Sequence, residues 1–180
     1  GPAGVLDAGG VPHGFVAKLT PAGVPIWAHE IKSSTVVDIA EMDIDPSGNV
    51  ALFGSFQDDI DGGGGLVTGD PSNWDTFLIA LDSSGAHRFT KTFGSSNWQV
   101  GRGVAVAPDG TIAVAGEFMS SIDFGGNLLS ANGTDAFVAT FDAAGNHLWS
   151  KRFGDALGQS AWDVGLLPDG DVVVTGYNNG

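Results

Sequence analysis

The sequence predicts an all-β chain assembled from a four-stranded unit that recurs along its length. A stretch in which small and apolar residues alternate around a Pro-x-Gly turn occurs at 42–56, 103–118 and 164–178. An apolar strand of pattern Phe-x-x-x-Leu/Phe recurs at steps of 62 and 60 residues. No segment shows a convincing 3.6-residue apolar period with helix caps, so no helix is predicted.

Each unit contains four strands, here lettered A to D. Strand A precedes the Pro-x-Gly turn and strand B follows it. A long glycine-rich connection leads to strand C at 15–19, 77–81 and 137–141, and a short turn then leads to strand D. The glycine of each A–B turn is expected to supply a positive φ: Gly48, Gly110 and Gly170.

Four-stranded antiparallel units repeated around an axis form a β-propeller, and this is the predicted fold of 1–180 as a single domain. Three blades are predicted: 36–93, 100–153, and 162–177 together with strands 15–19 and 26–31. Three blades are too few for a ring, since propellers have roughly 4–8. We therefore predict a homodimer in which exchanged terminal strands complete a six-bladed ring. The alternative is that the chain is a piece of a longer propeller.

Composition narrows the classes of function. The 180 residues carry a net charge of −14 with only 7 Lys and Arg, which disfavours nucleic acids and anionic membranes as partners. No apolar run approaches the length of a membrane span, and the opening residues do not resemble a signal peptide. Cysteine is absent, which excludes disulfides, thiolate metal sites and a thiol nucleophile from this sequence.

Two segments carry a family resemblance. The run 135–145, DAFVATFDAAG, and the sequence GEF at 116–118 followed by IDFGG at 122–126 resemble the bacterial SBBP-type β-propeller repeat. The A–B hairpin also resembles that of NHL-type propellers. The resemblance implies a propeller scaffold of a secreted or surface bacterial protein, without naming a ligand. The sequence departs from the pattern at 57–74, where the connection is longer and more acidic, and at 1–12.

The B–C and D–A connections share one face of the predicted propeller, where a rigid scaffold would present a ligand surface. Exposed aromatic residues beside amide, acidic and basic groups suit a carbohydrate or a peptide. The alternative is that the two tryptophans pack between blades. The candidate ligand residues are Asn97, Trp98, Gln99, Arg102, Trp162 and Asp163.

Aspartates among glycines in the same connections are candidate Ca²⁺ ligands, because Ca²⁺ takes oxygen ligands from flexible backbone. The candidates are Asp58, Asp59, Asp61 and Asp123. The alternative is that these carboxylates cap turns in solvated loops. No other cofactor is predicted.

These observations favour a non-enzymatic scaffold or binding module, extracellular or on the cell surface. No residue is singled out as catalytic. Two alternatives remain open: a glycan-active hydrolase or lyase that uses acidic residues of the loop face, and a purely structural repeat within a larger propeller.

Overall fold

A computed structural model describes residues 13–179, and those residues contain strands and turns but no helix. No stretch among them could therefore cross a membrane as an apolar helix. The strands are β1 Gly14–Leu19, β2 Pro25–Ile31, β3 Val36–Ile44, β4 Val50–Gln57, β5 Asp59–Ile60, β6 Val67–Thr68, β7 Asp75–Leu81, β8 His87–Phe93, β9 Gln99–Val106, β10 Ile112–Ile122, β11 Leu129–Phe141, β12 His147–Phe153, β13 Gln159–Leu166 and β14 Val172–Asn178.

The strands form antiparallel sheets that follow one another along the chain. Two sheets have four strands, in the order β3-β4-β7-β8 and β9-β10-β11-β12. They are flanked by the two-stranded sheets β1-β2 and β13-β14. The first strands of successive units lie side by side, since β3 contacts β9 and β9 contacts β13. The predicted all-β class is confirmed, and the arrangement is consistent with a β-propeller-like fold.

The turns have the predicted backbone geometry. Gly48, Gly110 and Gly170 adopt φ values of 84°, 86° and 91°, which only glycine adopts without strain. Each of these glycines donates its N–H to the carbonyl oxygen three residues earlier, which closes the reversal between strands A and B.

The B–C connection differs from the expected loop, because much of it is a second hairpin. In the first complete unit, β5 pairs with β6. In the second unit, the end of β10 pairs with the start of β11, joining Ser121 to Ser130. We call these two hairpins the arms, residues 59–68 and 121–130. A residue with positive φ, Asp58 or Ser120, precedes each arm and bends the chain.

The second arm fills the space between the two complete sheets. Phe124 is almost fully buried, with its ring centroid 4.8 Å from that of Phe93 in the preceding sheet and 5.0 Å from that of Phe137. The IDFGG sequence at 122–126 is therefore a packing element, and its Ile122 is also fully buried. The core of the molecule consequently lies between successive sheets, with each arm contributing to it.

In the first arm, the equivalent space is filled by a large side chain of β7 instead of by a large side chain of the arm itself. Gly62 occupies the position of Phe124, and a Cβ there would lie only 2.8 Å from the side chain of Ile79. The residue equivalent to Ile79 in the second unit is the smaller Ala139. A large and a small side chain have thus exchanged places between the two units, which keeps the interior filled.

Candidate functional site

The first strand of every unit contains a β-bulge at the same place. In each pairing of strand A with strand B, the register shifts around one extra residue. The three extra residues are Ala40, Arg102 and Trp162, and all are exposed. We call these positions the bulge row. Because β3, β9 and β13 lie side by side, the row follows neighbouring strands.

A glycine of strand B explains why the bulge recurs. A Cβ on Gly54, Gly116 or Gly176 would lie 2.0 to 2.1 Å from a carbonyl oxygen of the adjacent strand A. Real Cβ atoms do not approach so closely, so the bulged backbone can pack only against a residue without a side chain. The backbone at the row is therefore fixed, whereas the side chains it presents change from unit to unit.

In two of the units, the residue that follows this glycine contacts the bulge-row side chain of the same unit. Arg102 donates to the buried carboxylate of Glu117 over 2.7 Å. Trp162 stacks on Tyr177 with ring centroids 6.2 Å apart and an interplanar angle of 5°. Both aromatic side chains remain open to solvent, at 58 % and 50 % exposure. The first unit has only small groups there, Ala40 and Ser55.

Two acidic side chains that follow Ala40 along β3 accept hydrogen bonds from the backbone of β9. A Glu41 oxygen accepts the N–H of Val104 over 2.8 Å, and an Asp43 oxygen accepts the N–H of Val106 over 2.7 Å. Burial raises the pKa of Glu41 against the lowering effect of the Val104 N–H, and the charges of Asp163 and Asp43 raise it further. The first strands are thus held together by carboxylates that repel one another.

We expect Glu41→Gln to be tolerated and Glu41→Ala to be destabilising. The amide oxygen of glutamine can still accept the Val104 N–H, whereas alanine leaves that buried donor unpaired at a cost of about 1–3 kcal/mol. A carboxyl with a raised folded-state pKa contributes stability that is present at low pH and lost as pH rises through that pKa. In urea unfolding, the free energy of unfolding of Glu41→Gln minus that of the wild type should therefore increase from pH 4.5 to pH 7. A decrease of that difference over the same pH range would contradict this account.

The structure separates the six candidate ligand residues. Arg102 and Trp162 share the bulge row, and Asp163 is exposed directly after Trp162. Asn97 and Trp98 lie before β9, with Trp98 roughly 13 Å of strand away from Arg102. Asn97 accepts the N–H of Trp98 through its own side chain.

Gln99 is fully buried and holds the turn before β9. Its side-chain oxygen accepts the Ser95 N–H over 3.1 Å, and its amide nitrogen donates to the Ser95 hydroxyl over 2.8 Å. Gln159 is bonded in the same way to Asp155 in the next unit. An amide occupied in this way organises the connection, so we leave Gln99 out of the proposed ligand surface.

The four candidate Ca²⁺ ligands bond to the protein itself. Asp58 and Asp59 accept from the hydroxyl and the N–H of Ser34, at 3.1 and 2.7 Å. Asp61 accepts the N–H groups of two arm glycines, and Asp123 accepts that of Gly125. Within residues 13–179, no three His, Asp or Glu side chains are grouped as metal ligands would be. The contacts of Asp61 and Asp123 are those of turn-capping aspartates, whereas Asp58 and Asp59 join the start of the first arm to Ser34.

Sequence reasoning did not identify Glu117 and Tyr177 as partners of the row. A usable signal was present, because each directly follows the strand B glycine in an alignment of the units. The bulge itself could not be predicted, since it depends on how strands A and B are paired.

The comparisons with known proteins give weak similarity to two chains, one of which is a WD repeat-containing protein. No family model matches. The chain is 25 % identical, over 97 % of its length, to an uncharacterized WD repeat-containing protein, L264, of Acanthamoeba polyphaga mimivirus. It is 26 % identical, over 82 % of its length, to the regulatory protein FlaEY of Caulobacter vibrioides. The matches cover 14 % and 16 % of those proteins. WD repeats form propeller blades, in agreement with the antiparallel sheets described above.

Proposed function

We propose that this chain is a non-enzymatic β-propeller binding scaffold whose ligand surface is the bulge row with the side chains paired to it. The observation that carries the proposal is the recurrence of one bulge in β3, β9 and β13 with different exposed residues at each. A constant backbone that presents varied side chains is typical of a recognition surface.

The row is suited to binding because its backbone is rigid. The strand B glycines allow the bulged strand to approach closely, and the Glu41 and Asp43 bonds hold β3 against β9. A ligand that binds a preorganised surface loses little free energy to ordering the protein. This favours recognition by the side chains already in place.

The chemistry of the row favours a carbohydrate. The exposed ring of Trp162, which stacks on the parallel ring of Tyr177, offers a flat apolar surface that can contact the apolar face of a sugar. Asp163 lies exposed in the same unit as Trp162, and Arg102 and Glu117 lie in the neighbouring unit. These polar side chains can form hydrogen bonds with sugar hydroxyls. A net charge of −14 disfavours acidic glycans, so a neutral sugar fits best.

The hydrogen bonds that the acidic side chains accept support the non-enzymatic assignment. The candidate carboxylates of the B–C connections accept backbone or hydroxyl hydrogens instead of facing each other across a cleft. Most glycan hydrolases use two carboxyl groups, one on either side of the scissile bond. We extend the proposal to three blades per chain and to a secreted or surface location, on the basis of the SBBP-like residues 135–145.

The test is a panel of neutral oligosaccharides on a glycan array, followed by calorimetric titration of each sugar that binds. Trp162→Ala and Arg102→Ala should each weaken binding by about tenfold or more, because an aromatic or arginine contact at the centre of a site carries much of the affinity. Leu148→Ala, at an exposed position of β12, is the matched control and should bind as the wild type does. Absence of binding to every sugar, or full affinity in Trp162→Ala, would refute the proposal.

A further inference from the structure

Two strand edges have no partner within the described residues. In both four-stranded sheets, the second strand pairs with the third, β4 with β7 and β10 with β11. The equivalent strands of the flanking sheets are β14 and β1, and each pairs with one neighbour only. An open edge presents N–H and C=O groups to solvent and is a template for another strand.

The burial of equivalent residues shows what these edges lack. In β4 and β10, the first seven residues are all buried, whereas no residue of β14 is buried. In β1, Phe15 and Leu19 are 59 % and 54 % exposed. Their equivalents in β7 and β11 are fully buried: Phe77, Leu81, Phe137 and Phe141. The same repeat positions are therefore exposed only where a sheet is half complete.

A cavity marks the position of the absent neighbour. It has a volume of about 460 Å³ and is lined by Phe153, Ala161, Val174, Gly176 and Tyr177, among others. One unit earlier, the corresponding space is filled. The ring of Phe137 lies against Gly116 there, 2.7 Å from where a Cβ would stand, and Phe124 covers Phe93. The cavity thus lies where the complete sheets place a strand C phenylalanine.

We propose that β14 of one copy pairs antiparallel with β1 of a second copy of this chain. The partner is a second copy because the open β14 edge belongs to an A–B hairpin and β1-β2 is a C–D hairpin of the same repeat. The inference rests on the propeller scaffold proposed above. In the complete sheets, Gly54 pairs with Phe77 and Gly116 pairs with Phe137. The register follows: Gly176 lies opposite the second copy's Phe15.

The ends of the two strands agree with this register. At the equivalent position, the complete sheets place Phe56 opposite Asp75 and Phe118 opposite Asp135. Here Asn178 would lie opposite His13, so both members of the pair have changed. The Nδ1 atom of His13 is buried and has no hydrogen-bond partner among residues 13–179.

The test uses the absence of cysteine from the chain. The register places Val173 opposite Lys18, and both side chains are exposed, so Val173→Cys and Lys18→Cys should fold. Directly opposite residues have Cβ atoms about 4.5–5.5 Å apart, close enough for a disulfide to form with small adjustments. Mixing the two single variants under mild oxidation should give a covalent dimer on a non-reducing gel. Pairing Val173→Cys with Ala17→Cys is the control, since one residue of slip turns the thiol to the other face.

Light scattering of the wild type should give about twice the 18.3 kDa chain mass. A folded monomer at micromolar concentration, or equal cross-linking of Lys18→Cys and Ala17→Cys, would overturn the proposal. The readouts need no sugar, so a negative result here is distinct from failure of the bulge row to bind. Conversely, Trp162→Ala should lose sugar binding while it retains the register-specific cross-link.

Discussion

Replacing Arg152 with alanine is expected to lower the free energy of unfolding by about 3 kcal/mol. Arg152 forms an ion pair with Asp135, whose side chain has no exposed surface. The only other hydrogen bond to that carboxylate comes from the Asn132 N–H, at 3.2 Å, and one of its oxygens has no hydrogen-bond partner in the described structure. Removing the cation leaves a buried charge uncompensated, which costs roughly 3–5 kcal/mol when burial is complete. Urea unfolding followed by tryptophan fluorescence would measure the change.

The first complete unit provides the reverse experiment. Asp75 is the equivalent of Asp135, but Thr92 stands where Arg152 would be. Burial raises the pKa of Asp75, so its ionised form is destabilising at neutral pH. Thr92→Arg should lower that pKa and raise the free energy of unfolding at pH 7.

Arg88→Ala is the control for Arg152→Ala. It removes an exposed guanidinium and should have little effect on the free energy of unfolding. A loss below 1 kcal/mol in Arg152→Ala would contradict the assigned role of the pair.

Gly116→Ala is expected to destabilise the chain by about 3 kcal/mol or more, beyond the usual range for overpacking. The new methyl group would stand 2.1 Å from the carbonyl oxygen of Val100 and 2.7 Å from the ring of Phe137. Neither neighbour can move freely, because Val100 belongs to the bulged strand and Phe137 is fully buried. Thermal unfolding by circular dichroism and urea titration would both report the loss.

Gly165→Ala is the matched control, since it also replaces a strand glycine. No atom lies within 4 Å of its added Cβ, and Gly165 belongs to β13. Alanine loses less conformational entropy than glycine on folding, so the control should be neutral or stabilising by up to roughly 1 kcal/mol. Equal losses in the two variants would show that close approach of the bulge does not require Gly116.

The repeat predicted the strands well because its signals are local. Alternating apolar residues and the glycines at 48, 110 and 170 specify the A–B hairpins, and the structure has both the strands and the positive φ angles. The arms were predicted as loops because their buried groups are sparse. Ile122 and Phe124 are separated by Asp123, and little else in that segment indicates a core.

The site was harder to predict, for a physical reason. A bulge is a relation between two strands, and nothing in the local sequence of Arg102 or Trp162 encodes an extra residue. Gln99 was a plausible ligand group by composition, but its burial follows from a bond to Ser95 that only the folded turn creates. Aspartates near glycine can bind Ca²⁺ or cap turns. The choice between these depends on whether N–H groups or other carboxylates come within reach.

The arms also determine how unfolding spreads along the chain. Because Phe124 lies against Phe93 of the preceding sheet, a sheet loses part of its interface when its successor opens. Stability then resembles a sum of intrinsic unit energies and nearest-neighbour coupling energies, as in a one-dimensional Ising chain. In a single unpaired chain, hydrogen exchange should therefore be slowest in the inner strands of the two complete sheets, β4, β7, β10 and β11, and fastest toward β1 and β14. Pairing of β14 with β1 of a second copy would remove that gradient. Protection of a given amide would report its distance from the ends of the array more than its own hydrogen bond.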